Sequence, residues 1–512
     1  MKTNATVFGE PLGNLRAQVV GPSADRAHVI AIGAICIIGF VLRFLLLTHH
    51  SFDGDELFSY YWAHFSFSEL WTGALGDIHP PLYYSVQKII LILGDSETLF
   101  RAPVAVLGTV SVLLVYFLAR RIVDETAALL AAALMATSPI QIYYSQWARP
   151  YALLTAAALG AALTAVGIFK NYAQGALSRW AERALYVLLM TIALYTHSMA
   201  CLLFAVTAIY GLASIAAGRS LKCLLEWSAL NGAVLLLWSW WLIVVVHQAE
   251  AGLGQMAWLA PPTLRFVALE LASAYGTMFI WHFGPAISIL TLVAVGIVLT
   301  NTVMMILSRT VSSRIPLAYL FAVVVFVPAV EIGISLAWRP IFMQRTILWT
   351  VPFFFILAAI AIKSLCSTRA IPVLLSGVAA IFILDFWAHY RKPVHEDFRT
   401  LVDEVYAASR DGDVIVTGEP WVYSGVNYYL AKHSPRALIV VDRSTNEMRR
   451  DGHLPPISVQ HLPPATDRIW FIDGPGDADP ELSAELAPYR LVRRYDEHGT
   501  SAVLYQDTRV SP

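Results

Sequence analysis

The sequence predicts a polytopic α-helical membrane protein of about 11 transmembrane helices, carrying a C-terminal extracytoplasmic α/β domain. Three observations lead there. The 512 residues are 57% hydrophobic and only 14% charged, against roughly 25% charged in soluble domains. Charge is segregated, with 14 basic and 19 acidic residues in 388–512, leaving 21 and 17 for everything before. Apolar runs long enough to cross about 30 Å of hydrocarbon, roughly 17 to 25 residues as helix, recur until about residue 387 and then stop. A formal charge of −1 shows no basic coat, and nucleic acid is not an expected partner.

The elements follow in order. Residues 1–28 form a polar leader, too long and too weakly charged for an ordinary signal peptide. No small-residue cleavage site follows the first apolar run, so that run reads as an uncleaved anchor. Spans are placed at 29–47, 98–119, 126–144, 150–169, 183–196, 198–217, 227–247, 284–307, 316–336, 346–362 and 370–387. The fifth is short, and LRFVALELASAYGTMFIWHF at 264–283 reads as an interfacial or re-entrant helix. With the N-terminus in the cytoplasm, fourteen of the 21 basic residues of this part fall in inner segments, as the positive-inside rule requires. The odd span count then puts 388–512 in the periplasm, and the expected location is the bacterial inner membrane. Cys36, Cys201, Cys223 and Cys366 lie in or beside apolar stretches without metal-ligand spacing, so neither a disulfide framework nor a zinc site is expected.

Residues 48–97 make a long outer loop with seven of the 17 acidic residues of the membrane part: Asp53, Asp55, Glu56, Glu69, Asp77, Asp95 and Glu97. Asp53, Asp55 and Glu56 crowd within four positions directly after the first span, an arrangement suited to perturbing a carboxyl pKa and to general-base work on an incoming hydroxyl. A solvated acidic loop is the bland alternative. DIHPPLYYSVQK follows, where Pro80 and Pro81 stiffen the entry to an interfacial helix carrying Tyr83 and Lys88, with His79 just before them. Outer cations are disfavoured by topology, so the remaining ones attract attention. Arg149 lies near Tyr144 and Gln146 between the third and fourth spans, and Arg339 and Arg345 stand before the tenth; interfacial anchoring would also explain each arginine alone. In the tail, HEDFRTLVDEVYAASR and WVYSGVNYYLAK read as helices and DVIVTG, ALIVVD and RIWFID as strands, predicting an α/β domain with a mostly parallel sheet. No nucleotide-binding glycine motif occurs.

Taken in order, the polar pieces resemble the bacterial membrane glycosyltransferases of the GT-C superfamily, specifically the family 39 and RgtA-like enzymes related to protein O-mannosyltransferases and aminoarabinose transferases. The resemblance rests on Asp55-Glu56, H-P-P-L-Y-Y at 79–84, R-x-P at 101–103, Y-S-Q-x-A-R-x-Y-A-L at 144–153, Y-T-H at 195–197 and R-x-x-x-x-Q-R at 339–345. It implies a GT-C domain at 29–387, with the catalytic loop at 48–97. It also implies inverting transfer of a sugar from a polyprenyl-phosphate carrier to an extracytoplasmic glycan, lipid or protein acceptor. The acid-base position maps onto Asp55 with Glu56 beside it. His79 stands where aminoarabinose transferases have a lysine. Arg149 and Arg345, helped by His79 and Lys88, are the expected holders of the donor phosphate, since guanidinium forks match phosphate oxygens. Asp53, Tyr83, Tyr144, Gln146, His197 and Arg339 are expected substrate-binding candidates. No metal site and no obligatory cofactor is expected, although outer carboxylates can bind a divalent cation. The rival readings are a transporter or lipid flippase, which also places polar groups in an apolar bundle, and a non-catalytic membrane subunit.

Overall fold

The computed structural model describes residues 22–72, 79–251, 259–278, 285–308, 311–391, 396–417, 420–433, 439–442, 466–473, 486–497 and 500–508. Most of the leader, Asp77 and the end of the 264–283 segment lie outside them. Helix α1 (Pro22–Phe44) is the first apolar span, and the outer loop after it folds into α2 (Gly54–Trp62), α3 (Phe67–Thr72) and α4 (Leu82–Leu91). The bundle continues with α5 (Glu97–Ile122), α6 (Glu125–Thr137), α7 (Pro139–Gln146), α8 (Tyr151–Tyr172), α9 (Trp180–Thr196), α10 (Ala200–Gly218) and α11 (Leu221–Ala251). It closes with α12 (Leu264–Tyr275), α13 (Pro285–Ser308), α14 (Val311–Ala337), α15 (Gln344–Ile347), a 3-10 turn, α16 (Val351–Leu365) and α17 (Ala370–Arg391).

Among the described residues nine helices are long and apolar enough to cross a membrane, or ten if α6 and α7 count as one bent span. This corrects the expected eleven, for two physical reasons. Pro139 opens α7, where it has no N–H to give to the preceding turn, and the run splits with a 53° bend. The expected fifth span is α9, whose sequence WAERALYVLLMTIALYT keeps Glu182 and Arg183 in its first turn. The remaining apolar stretch rises only about 20 Å, short of the hydrocarbon thickness.

Small residues place the central helices. The sequence of α8, YALLTAAALGAALTAVGIFKNY, lets neighbours approach closely, and the helix is buried almost throughout. A Cβ on Gly160 would stand 2.8 Å from Leu189 of α9. By contrast α11, α13 and α17 turn large apolar side chains outward, among them Leu236, Met304 and Ile383, as a lipid-facing shell requires.

The tail comprises α18 (Phe398–Ala408), β1 (Val414–Thr417), α19 (Pro420–Leu430), β2 (Ile439–Asp442), β3 (Arg468–Asp473), β4 (Tyr489–Glu497) and β5 (Thr500–Asp507). All three expected strands and both helices form. The sheet order is β2-β1-β3-β5-β4, with β1 parallel to β2 and β3, but β5 antiparallel to β3 and β4. The sheet is therefore mixed, because the C-terminal segment returns as a hairpin on the β3 edge. Residues Ile415, Trp470, Ile472, Ala502 and Leu504 share one core with Phe398, Leu401, Val405, Val422 and Val426. That core also contains Phe52, Leu57, Phe100 and Ala148 from the membrane part, so the tail is packed directly on the outer loop.

Candidate active site

Helix α2 sets the site. Asp53 is its N-cap, accepting from Glu56 N at 2.8 Å, while Glu56 reaches back to Asp53 N at 3.4 Å in a reciprocal capping box. The second oxygen of Asp53 accepts from Trp147 Nε1 at 2.7 Å. Glu56 points inward, takes both arms of the Arg101 guanidinium and accepts from Ala148 N at 2.8 Å. Burial pushes its carboxyl pKa up, against the pull of Arg101. Arg101 also donates to Leu47 O at 3.0 Å, His50 O at 2.8 Å and Ser51 O at 2.9 Å, fixing the entry to α2. Thus Asp53 and Glu56, expected near the chemistry, hold the helix in place. A cavity of about 50 Å³ bounded by both of them, Arg101, Tyr143, Gln146 and His389 lies beside this network.

Asp55, between those two, faces the other way. Its side chain is 38% exposed, with Oδ2 at 2.7 Å from Arg345 Nη1 and Oδ1 at 3.8 Å from Arg149 Nη2. Arg149 is 3% exposed and donates from Nη1 to Asp55 O and to Ser59 Oγ, both at 3.0 Å. Pro150 follows it, favouring a non-helical backbone at Arg149 and separating α7 from α8. Arg345 comes from the opposite side, on the four-residue α15. That short helix is pinned by two carboxylates: Glu270 accepts from Gln344 N, and Glu331 accepts from Thr346 Oγ1 at 2.6 Å. Burial pushes the Glu270 carboxyl up, with the Gln344 amide and Arg345 opposing.

Several expected residues gather around this triad. Tyr144 stacks edge-on to Tyr151 at 5.3 Å, and Trp147 lies parallel to Tyr151 at 5.7 Å. The rings of His197 and Tyr151 are 5.9 Å apart, and His79 meets His197 edge-on at 5.6 Å. Burial, then the charges of His79, Arg149 and Arg345, push the His197 imidazole well below its ordinary pKa, so it is neutral and offers a hydrogen bond rather than charge. Tyr83 is buried and accepts from Gln87; burial raises its phenol pKa, and Arg149 opposes that shift.

Others stand elsewhere. Lys88 is 3.5 Å from Ala63 O, at the opposite end of α2 and about 12 Å along its axis from Asp55. Gln146 donates to Leu42 O, Arg43 O and Leu45 O at 3.3, 3.2 and 2.8 Å, satisfying carbonyls where α1 ends. Arg339 lies over the Trp338 ring at 5.2 Å. The sequence reading passed over Tyr151, Ser59, Glu270 and Glu331. Glu331 carried a usable signal, being an acid inside the apolar α14; Ser59 carried none. Among the described residues no group of three or more His, Cys, Asp or Glu is placed to hold a metal ion.

The comparisons agree with this architecture. A family model described as dolichyl-phosphate-mannose-protein mannosyltransferase matches residues 78–243, which include His79, Arg101, Arg149 and His197. The crystal structure of ArnT from Cupriavidus metallidurans bound to undecaprenyl phosphate superposes with a TM-score of 0.59 at 13% identity, covering 96% of this chain and 100% of that one. The same protein in its apo state gives 0.58 at 13% identity, covering 94% and 98%. No curated protein sequence matches the chain. The fold is that of a polytopic α-helical membrane protein, with nine or ten apolar spans among the described residues and a small C-terminal sheet, and it is similar to ArnT over nearly its whole length.

Proposed function

We propose that the chain is an inverting glycosyltransferase that moves a sugar from a polyprenyl-phosphate carrier to an extracytoplasmic acceptor such as lipopolysaccharide, another glycan, a lipid or a protein. The observation that carries this reading is the partly exposed Asp55 carboxylate held between guanidinium groups from two separate elements, Arg149 and Arg345. The undecaprenyl phosphate bound by ArnT is a polyprenyl-phosphate carrier without its sugar, the class of leaving group this charge pattern suits. Within the superfamily, the motif order favours a family 39 or RgtA-like enzyme. The bacterial inner membrane, with a cytoplasmic N-terminus and a periplasmic tail, is the matching location.

In this mechanism Asp55 takes the proton of the acceptor hydroxyl as its oxygen attacks the anomeric carbon. The bond from that carbon to the carrier phosphate breaks, and its electron pair leaves on the phosphate oxygen. A single displacement from the face opposite the leaving group inverts the anomeric centre. Arg149 and Arg345 stabilise the charge growing on the phosphate, where fixed donors in a partly dry site act strongly. Each guanidinium carries five N–H donors in a planar fork whose geometry matches phosphate oxygens. Neutral His197 and the Tyr144 and Tyr151 phenols supply hydrogen-bonding groups beside them. No step draws on a metal or cofactor.

The test is reconstitution of the full chain with a panel of polyprenyl-phosphate sugars. Asp55→Asn should lower transfer by about 10²- to 10⁴-fold with unchanged thermal stability, because its carboxylate is 38% exposed and buried Arg149 keeps its bonds to Asp55 O and Ser59 Oγ. Full transfer by a folded Asp55→Asn protein, or solute movement without sugar transfer, would overturn the assignment.

A further inference from the structure

A second cleft opens between the far end of α2 and the tail helix α19. It has a volume of about 390 Å³ and is lined by Tyr60, Tyr61, His64, Asp95, Asn427 and Tyr428 among others. Its two walls are tied together: the Tyr61 hydroxyl bonds to Ser424 and Asn427 on α19, and Tyr428 OH donates to Asp95 O at 2.7 Å. Lys432 bridges to Asp95 at 2.7 Å and lies 4.6 Å over the Tyr428 ring. His64 is held by Nδ1 at 2.9 Å from Tyr60 O, with its ring 4.6 Å from that of Tyr60. The walls are therefore rigid, and little ordering remains to be done on binding.

The chemistry of the lining is mixed in a specific way. Aromatic faces accept the C–H face of a flat saturated ring, and a carboxylate, an amide and phenols offer both donors and acceptors to a rim of hydroxyl groups. Those groups are bonded to one another, but an amide, a carboxylate and a phenol each keep further donor or acceptor capacity that an aliphatic chain would not use, and a charged headgroup would meet Lys432 already paired with Asp95. Position supplies the second argument. Asp55 shares α2 with Tyr60 and Tyr61 of the cleft, and at 1.5 Å per residue Tyr61 is about 9 Å beyond Asp55 along its axis, with His64 just past the helix end.

Building on the glycosyltransferase reading, we propose that this cleft is the acceptor subsite, taking a pyranose ring of an acceptor glycan so that a neighbouring ring presents its hydroxyl to Asp55. The tail then contributes directly to acceptor choice, through Asn427 and Tyr428.

Saturation-transfer NMR on the full chain in lipid nanodiscs tests this with maltose, cellobiose, mannobiose, chitobiose and a lipopolysaccharide core oligosaccharide. At least one should bind the native protein. His64→Trp, which fills the cleft from an exposed position, and the His64→Ala/Asn427→Ala pair should each weaken that binding tenfold or more, while Asp55→Asn leaves it unchanged. Thermal melting establishes that the variants are folded, and His64→Trp leaves the Tyr61–Asn427 bond untouched. Undiminished binding by both variants, or no binding of any of the five by the native protein, overturns the subsite. Normal sugar transfer by Asp55→Asn with intact cleft binding instead defeats the catalytic reading alone.

Discussion

Asp55 and Glu56 are neighbours in the chain with opposite tasks, because a helix turns about 100° per residue. Glu56 is sealed against Arg101, whereas Asp55 emerges between Arg149 and Arg345. Substitution separates the two. Glu56→Gln leaves a buried guanidinium uncompensated, a defect that costs about 3–5 kcal/mol, so a large fall in melting temperature is expected where Asp55→Asn shows none. A second residue-scale outcome concerns His50. Burial, with His49 and Arg101 nearby, lowers its pKa from 6.5 to about 4, while Asp397 and a hydrogen bond to His389 oppose the shift. The unfolded chain therefore takes up this proton first on acidification. Stability contributed by neutral His50 is full above about 6.5, declines as pH falls toward about 4 and changes no further below that. Melting temperature against pH should drop less steeply through that window in His50→Gln. The D-G-D-E crowding drew attention to this loop; it was silent on which carboxylate points outward, since that depends on Arg101 and Ala148 arriving from elsewhere in the chain.

At the scale of elements, the acidic outer loop is largely a set of joints. Asp53 and Glu69 cap helices, Glu97 binds Arg399 and Tyr429, and Asp95 binds Lys432. Tyr429 OH also accepts from Phe52 N at 2.7 Å, one residue before the α2 cap. Removing residues 396–512 would expose Phe52, Leu57 and Phe100 and release those carboxylates. Such a truncated chain should aggregate or run heterogeneously in size-exclusion chromatography, and the Arg399→Ala/Tyr429→Phe pair should lower the melting temperature of the full chain. Periodicity and run length made the long helices and the three tail strands around β1 legible. They missed the β4–β5 hairpin, whose exposed, charge-bearing strand YRLVRRYDE resembles a loop in composition. They also joined α6 to α7 across Pro139. The clamps were illegible because each pairs residues more than 300 positions apart.

For the whole molecule, the bundle is graded from dry centre to lipid-facing rim. Helices α8 and α16 are enclosed, and α17 exposes nearly its whole length. Arg43 sets a charge inside this bundle, fully buried near the end of α1. Its guanidinium donates to Gly39 O and Met135 O at 3.0 Å, Ala136 O at 3.1 Å and Ser145 Oγ at 3.2 Å, quenching the negative C-terminal end of α6. Arg43→Leu strands those carbonyls at about 1–3 kcal/mol and should destabilise the assembled protein in a melting assay. In a translocon reporter carrying α1 alone the same change should favour insertion, by less than the about 2.5–3.5 kcal/mol that Arg costs at a helix centre, since Arg43 stands in the last turn. Ala136 is made 93 residues after Arg43. Until the ribosome has delivered that stretch, α1 carries a cation with Gly39 O in place but with its partners Met135, Ala136 and Ser145 not yet synthesised. Helix α1 is thus satisfied late, and translation order differs from the order in which the bundle locks together.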